Sequence, residues 1–182
     1  MKVLGLAGYS NAGKTTLAAA LIPALKACGA RVSAIKHAHQ HFDIDHPGKD
    51  SHRLREAGAF EVLVASEVRM ARIREFEQPV KWDLDLLLAE IVEPGDRDLW
   101  VLVEGFRHGA VLKLELWDPA ADRPALYPED PYVVALVTDS PDTLPEPTGL
   151  PVFSRSDVPG LVAWLLEKHA RFDYISPFES PV

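Results

Sequence analysis

Residues 8–16 read GYSNAGKTT, and they carry the first chemistry of the chain. Gly8, Gly13, Lys14 and Thr15 satisfy G-x-x-x-x-G-K-[ST], the pattern of a phosphate loop when a strand precedes it and a helix follows. The glycines let backbone N–H groups curl round phosphate oxygens, and the helix N-terminus adds partial positive charge. Lys14 is placed to bridge β- and γ-phosphates, Thr15 to give its hydroxyl to magnesium, and Thr16 to support the α-phosphate side. With Asn11 and Ala12 inside the loop, Gly8 to Thr16 form the candidate nucleotide site, and a nucleoside triphosphate with Mg2+ is the expected ligand.

Such a loop also needs an acid at the end of a neighbouring strand to hold the magnesium through water. Glu104, closing LWVLVEG (99–105), has that place, the plain alternative being a strand-end carboxylate paired with Arg107. Lys14 and Glu104 are therefore the candidate catalytic residues, and Thr15, Glu104 and Asp45 the candidate metal ligands.

Five histidines, His37, His39, His41, His46 and His52, crowd into KHAHQHFDIDHPGKDSH beside Asp43, Asp45, Lys49 and Asp50. The segment leaves the edge of the sheet where ligands bind in open α/β folds. The leading reading is a lid, with Lys36 or Lys49 and the histidines, His37 among them, facing an anionic substrate and Asp43 or Asp45 facing the metal. His-x-His-x-His also permits a transition-metal site, and a solvated polar loop is the plain alternative.

The guanine-reading N-K-x-D is absent. Asp139, at the end of YVVALVTD (132–139), offers a substitute: its carboxylate can accept from guanine N1–H and the exocyclic amine, which adenine does not present in that arrangement. Aspartate also begins turns well, and Pro141 follows closely.

The elements that position these residues follow an α/β rhythm. VLGLAG (3–8) reads as a strand buried on both faces, and TLAAALIPALKAC as a helix with Leu17, Leu21, Leu25 and Cys28 on one side. Pro23 is expected to bend that helix, and Cys28 to be a buried thiol. RVSAI (31–35), EVLVAS (61–66), LWVLVEG and YVVALVTD read as further strands, EVLVAS following a short helix DSHRLREAG opened by Asp50 or Ser51. LDLLLAEI (84–91) reads as a helix. VLKLELW (111–117) alternates leucine with Lys113 and Glu115, which predicts a half-exposed strand, antiparallel or at an edge. SDVPGLVAWLLEKH is a last helix capped by Asp157 or Ser156, and the tail from 171 to 182 shows no period. The fold expected is a mostly parallel sheet flanked by helices with an additional antiparallel edge portion, in one domain over 1–170.

A net charge of −8 argues against broad nucleic-acid binding, which needs a basic face. One cysteine leaves no intrachain disulfide, and no apolar run reaches the roughly 20 residues of a membrane span, so a cytoplasmic protein is expected.

GYSNAGKTT, KHAHQHFDIDHPGKDSHRLREAGA and LVEGFRHG together resemble the molybdopterin-guanine dinucleotide biosynthesis protein B (MobB) family, up to about residue 168. The family pattern has adjacent histidines where this chain has His39 and Gln40. The resemblance implies a P-loop GTP-binding protein with weak GTPase activity. It also implies action beside a guanylyltransferase that joins GMP to molybdopterin, and a homodimer through an extended sheet. Gly8, Asn11, Gly13, Lys14, Thr15 and Thr16 match the family's nucleotide site, and Glu104 and Gly105 its strand-end acid. The alternatives are a nickel- or zinc-delivery GTPase, suggested by the histidines, and a small-molecule kinase, suggested by Arg69, Arg72 and Arg74 in VRMARIRE as an anion-closing lid.

Overall fold

The structure is a computed structural model of the chain and describes residues 1–38, 42, 44–91 and 98–175. Its main sheet has six strands in the order β2-β5-β1-β6-β7-β8, all neighbours parallel. These are β1 (Lys2–Ala7), β2 (Arg31–Lys36), β5 (Leu99–Glu104), β6 (Lys113–Leu116), β7 (Val133–Val137) and β8 (Val152–Phe153). From β1 the chain first builds β2 and β5 on one side, then β6, β7 and β8 on the other. The sheet therefore switches direction at β1, and the crevice beyond the carboxyl end of that strand is where ligands bind in open α/β folds.

Alternation along the central strands gives the sheet two apolar faces. Leu4, Leu6, Trp100, Leu102, Leu114 and Leu116 face one side, where α1 (Lys14–Ala27) contributes Leu17, Leu21 and Leu25 and α4 (Val158–Glu167) contributes Leu161, Val162 and Leu165. Val3, Val101, Val103 and Ile35 face the other, covered by Leu88 of α3 (Leu84–Ile91). Strands apolar on both faces are what a helix-covered parallel sheet demands. Asp157 caps α4 by accepting from Gly160 N at 3.0 Å, with Pro159 in the first turn.

Several expectations change. β6 is an interior parallel strand between β1 and β7, buried at all four residues, and not a half-exposed edge. Its two charges have dedicated partners. Lys113 Nζ donates to Arg107 O, Gly109 O and Asp130 Oδ2 at 3.0, 2.8 and 2.9 Å, and Glu115 accepts from Leu126 N and Tyr127 N at 2.7 and 2.8 Å. Burial still pushes the Glu115 carboxyl up against those hydrogen bonds. β3 (Glu61–Ala65) does not join the parallel sheet; it pairs antiparallel with β4 (Met70–Arg74) in a sheet of two, because a four-residue connection favours the local partner. Cys28 is exposed, since it caps α1 after the last buried position, Leu25. Pro23 lies inside α1, which continues past it as expected.

The chain forms two compact units, Met1–His37 with Asp83–Val182, and Ala38–Trp82. The second unit holds α2 (Asp50–Glu56) and the β3–β4 pair. Lys49, with extended backbone, precedes α2 where Asp50 or Ser51 was expected to cap it. In the tail, Phe172 is buried against Trp100 and Trp164, and Asp173 bridges to Lys2. Among the described residues no helix is long and apolar enough to cross a membrane.

Candidate functional site

β1 delivers the chain to Gly8, whose φ of 135° and distance to Leu116 O leave no space for a side chain: a Cβ there would lie 2.6 Å from that oxygen. Asn11 and Gly13 also take positive φ, 65° and 92°, so the loop curls back before α1 starts at Lys14. Lys14 Nζ donates to Gly8 O at 3.0 Å and Tyr9 O at 2.7 Å, tying the start of the helix across the start of the loop. Its pKa is held below the usual lysine value, first by burial and then by the neighbouring charges of Lys36 and Arg107, with Glu104 opposing. A site that resists one more positive charge is ready for an anion.

The acid stands next to the hydroxyl. Thr15 Oγ1 donates to Glu104 Oε2 at 2.8 Å, across 89 residues of sequence, and Lys36 Nζ lies 3.5 Å from Thr15 Oγ1 and 3.7 Å from Glu104 Oε1. The sequence expectation of a plain Glu104–Arg107 pair has no place here: Arg107 Nη2 donates instead to the Tyr9 hydroxyl at 2.6 Å, its guanidinium 3.9 Å from the Tyr9 ring centre. A hydroxyl and a carboxylate in contact at the mouth of a phosphate loop are the hard oxygen donors magnesium takes together with phosphate and water. Lys36 and Glu104 are level in the parallel register of β2 and β5, and His37 N donates to Glu104 O at 2.9 Å. The His37 ring stacks on Phe106, centroids 4.9 Å apart, which the absence of a Cβ at Gly105 permits: one there would meet His37 O at 2.6 Å.

Asp139 closes the far side, beyond β7. Its Oδ1 accepts from Ser154 Oγ at 2.7 Å and Arg155 N at 2.9 Å, which hold its pKa below the ordinary carboxylate value. Arg155 Nη2 donates to Asp118 Oδ2 at 3.0 Å, and the same guanidinium lies 3.8 Å from Asp139 Oδ2 through Nε.

The structure thus brings Lys14, Thr15, Lys36 and Glu104 together, with His37 beside Glu104. Ala12 is buried under the loop, and Thr16 lies in the first turn of α1. Asp45, expected near metal, belongs to the second unit and accepts from Ser51 Oγ at 2.8 Å, His46 N at 3.0 Å and Arg55 Nε at 2.9 Å. Burial works to raise its pKa, but the hydrogen bonds from Ser51 and Arg55 outweigh it and the net shift is downward. Both oxygens are thereby committed, and Arg55 continues to Glu75, so Asp45 fastens α2 to its own unit. His39, His41 and Asp43 lie outside the described residues. Among the described residues no three His, Cys, Asp or Glu side chains cluster to hold a metal. Of Arg69, Arg72 and Arg74, the expected anion lid, the last two sit on β4 and pair with Glu61 of β3. The sequence offers Arg107 only as a partner for Glu104; its contact with the Tyr9 side chain of the loop has no signal in LVEGFRHG.

The family profile described as "Molybdopterin guanine dinucleotide synthesis protein B" matches residues 3–139. The chain belongs to the MobB family. Among its MobB-family relatives is a protein of Escherichia coli called molybdopterin-guanine dinucleotide biosynthesis adapter protein, 41% identical over 167 residues, covering 91% of each chain. Another, of the same name from Haemophilus influenzae, is 43% identical over 140 residues, 76% of this chain and 75% of that one. The crystal structure of a MobB protein homolog from Bacillus stearothermophilus superposes with a TM-score of 0.68 at 25% identity, covering 94% of this chain and 99% of that one. A crystal structure of molybdopterin-guanine biosynthesis protein B superposes with a TM-score of 0.64 at 26% identity, covering 91% and 99%. This MobB-family chain therefore has the P-loop NTPase fold, mostly parallel with a small antiparallel sheet added.

Proposed function

We propose that the protein is a GTP-binding adapter of molybdopterin guanine dinucleotide synthesis, working beside the guanylyltransferase that joins GMP to molybdopterin. The observation that carries this reading is the Thr15–Glu104 contact at the mouth of the loop, in a chain whose relatives bear the adapter name. Backbone N–H groups from Gly8 to Gly13 receive the phosphates, and Lys14 neutralises the β- and γ-oxygens while still spanning the loop. Thr15 and Glu104 would hold magnesium, which supplies charge neutralisation on the terminal phosphates. Asp139, with Oδ1 fixed by Ser154 and Arg155, keeps Oδ2 as the acceptor for the guanine N1–H and amine.

With Glu104 assigned to the magnesium, hydrolysis in this reading is slow and rests on electrostatic stabilisation by Lys14 and the metal. The protein acts in this reading by presenting nucleotide, as a homodimer. The β3–β4 sheet leaves strand edges without partners among the described residues, with Leu63, Val64 and Met70 exposed, and two strands alone are marginal in water.

Calorimetric titration of Mg-GTP and Mg-ATP into the wild type and into Lys14→Ala tests the reading. Preference for GTP, abolished in the variant, is the expected result, and equal affinity for ATP or binding that survives Lys14→Ala sinks it. Guanylyl transfer to molybdopterin by the partner enzyme, measured with and without the protein, tests the adapter role.

A further inference from the structure

We propose that Lys36 is a tethered cation for the triphosphate, standing in the position that a divalent metal would otherwise fill. The inference rests on the reading that GTP occupies the phosphate loop. Its ground is the geometry of one ammonium group. Lys36 Nζ lies 3.5 Å from Thr15 Oγ1 and 3.7 Å from Glu104 Oε1, the two side chains whose oxygens suit magnesium. The hydroxyl donates to the other carboxylate oxygen, Glu104 Oε2, at 2.8 Å, so one ammonium compensates the carboxylate and caps the hydroxyl together.

The fold fixes the root of this side chain and leaves its head free to travel. Lys36 is the last residue of β2, paired in register with Glu104. The next residue is anchored three ways: His37 N donates to Glu104 O, its ring stacks on Phe106, and Gly105 makes room for its backbone. The side chain itself is 64% exposed, so the ammonium can shift toward incoming phosphate without disturbing packed atoms. An ammonium is a compact, strongly hydrated point charge on a flexible stem, suited to a moving counter-ion role.

The consequence is a division of labour that depends on metal. Without magnesium, Lys36 remains between Glu104 and the terminal phosphates and supplies, with Lys14, the positive charge the triphosphate needs. With magnesium, a divalent ion on the same oxygens repels the ammonium, and Lys36 contributes little to affinity. Lys36 thereby lowers the metal requirement for nucleotide binding.

The test is the affinity of GTP for the full chain, by calorimetry, in excess chelator and in millimolar Mg2+, for wild type, Lys36→Met and Lys36→Arg. Methionine keeps the stem and removes the charge at an exposed position, and the thermal midpoint of each variant checks that it folds; Lys36→Gln replaces it otherwise. In chelator, Lys36→Met is expected to bind about 10- to 100-fold more weakly, the worth of one charge-assisted contact, while Lys36→Arg retains most of the affinity. In Mg2+ the three proteins agree within about threefold, so the metal dependence grows in the methionine variant alone. Equal weakening in both media makes Lys36 an ordinary phosphate contact and overturns the proposal. It is overturned too by an unchanged affinity in chelator, or by a wild type that binds GTP only with metal. A wild type that binds no GTP in either medium overturns the nucleotide reading itself, and with it this inference.

Discussion

Removing the carboxylate of Asp130 tests how this chain buries a charge in the strand beside its phosphate loop. The Lys113 side chain is 1% exposed, and its Nζ meets three acceptors: Arg107 O at 3.0 Å, Gly109 O at 2.8 Å and Asp130 Oδ2 at 2.9 Å. Only the last carries compensating charge. Asp130→Ala leaves the ammonium buried on two neutral carbonyls, and removing one partner of a buried pair costs about 3–5 kcal/mol. Asp130 itself is 16% exposed and lines an open cavity of about 510 Å3, so water can reach the vacated place. The lower end, about 3 kcal/mol, is therefore expected, which in a chain of this size lowers the thermal midpoint by about 6–12 °C. Asp130→Asn, which keeps an acceptor and loses the charge, falls between wild type and alanine. Urea unfolding followed by tryptophan fluorescence gives both differences. An alanine variant within about 1 kcal/mol of wild type refutes the reasoning, because it means Lys113 is not held by charge compensation. The same lysine grips the loop carrying Arg107, so GTP affinity should fall alongside stability.

Three further outcomes follow from particular contacts. Gly105→Ala forces a Cβ to 2.6 Å from His37 O at a φ of 111°, so a loss of about 1–3 kcal/mol in denaturant and weaker GTP binding are expected. Phe172→Ala empties a site between Trp100 and Trp164 and should cost about 3–5 kcal/mol, read from the same unfolding curves. Asp45 has a depressed pKa in the fold, so the unfolded chain binds more protons and stability rises with pH across that interval. Its contribution is full above the unfolded carboxylate value and lost as pH falls through the lower folded one. Amide exchange in 44–75 should then show Asp45→Asn more open than wild type at neutral pH and the two converging in acid.

The arrangement of the candidate site was legible because its signals are local and reinforce one another: two runs apolar on both faces, each ending in a chemistry-bearing residue, with a glycine pattern between strand and helix. Glu104 could be placed from the length of its strand alone. The partners of Lys113 and Glu115 could not, since Asp130 and the amides of Leu126 and Tyr127 lie over ten residues away and nothing in KLEL announces them. An alternation that ordinarily marks a wet face here marks two buried charges with built partners. EVLVAS was similarly misplaced, because strand-forming residues do not say which strand they join. Cys28 fell to an error of one turn: the apolar stripe stops at Leu25, and the helix ends before the thiol can follow it inward.

The position of β1 also bears on how the chain comes off the ribosome. The first strand of the main sheet in chain order is central in it, and its two neighbours, β5 and β6, are encoded about a hundred residues later. Lys2 waits longer still, for Asp173 near the other end. An apolar segment thus stays unpaired while the next hundred or so residues are made, exposed to chaperones and to neighbouring nascent chains. Sheet closure must come late and nearly all at once, when β5 slots between β2 and β1. Slowing translation before residue 99 should therefore harm the yield of folded protein more than slowing it after residue 137, when the first five strands of the main sheet are already made.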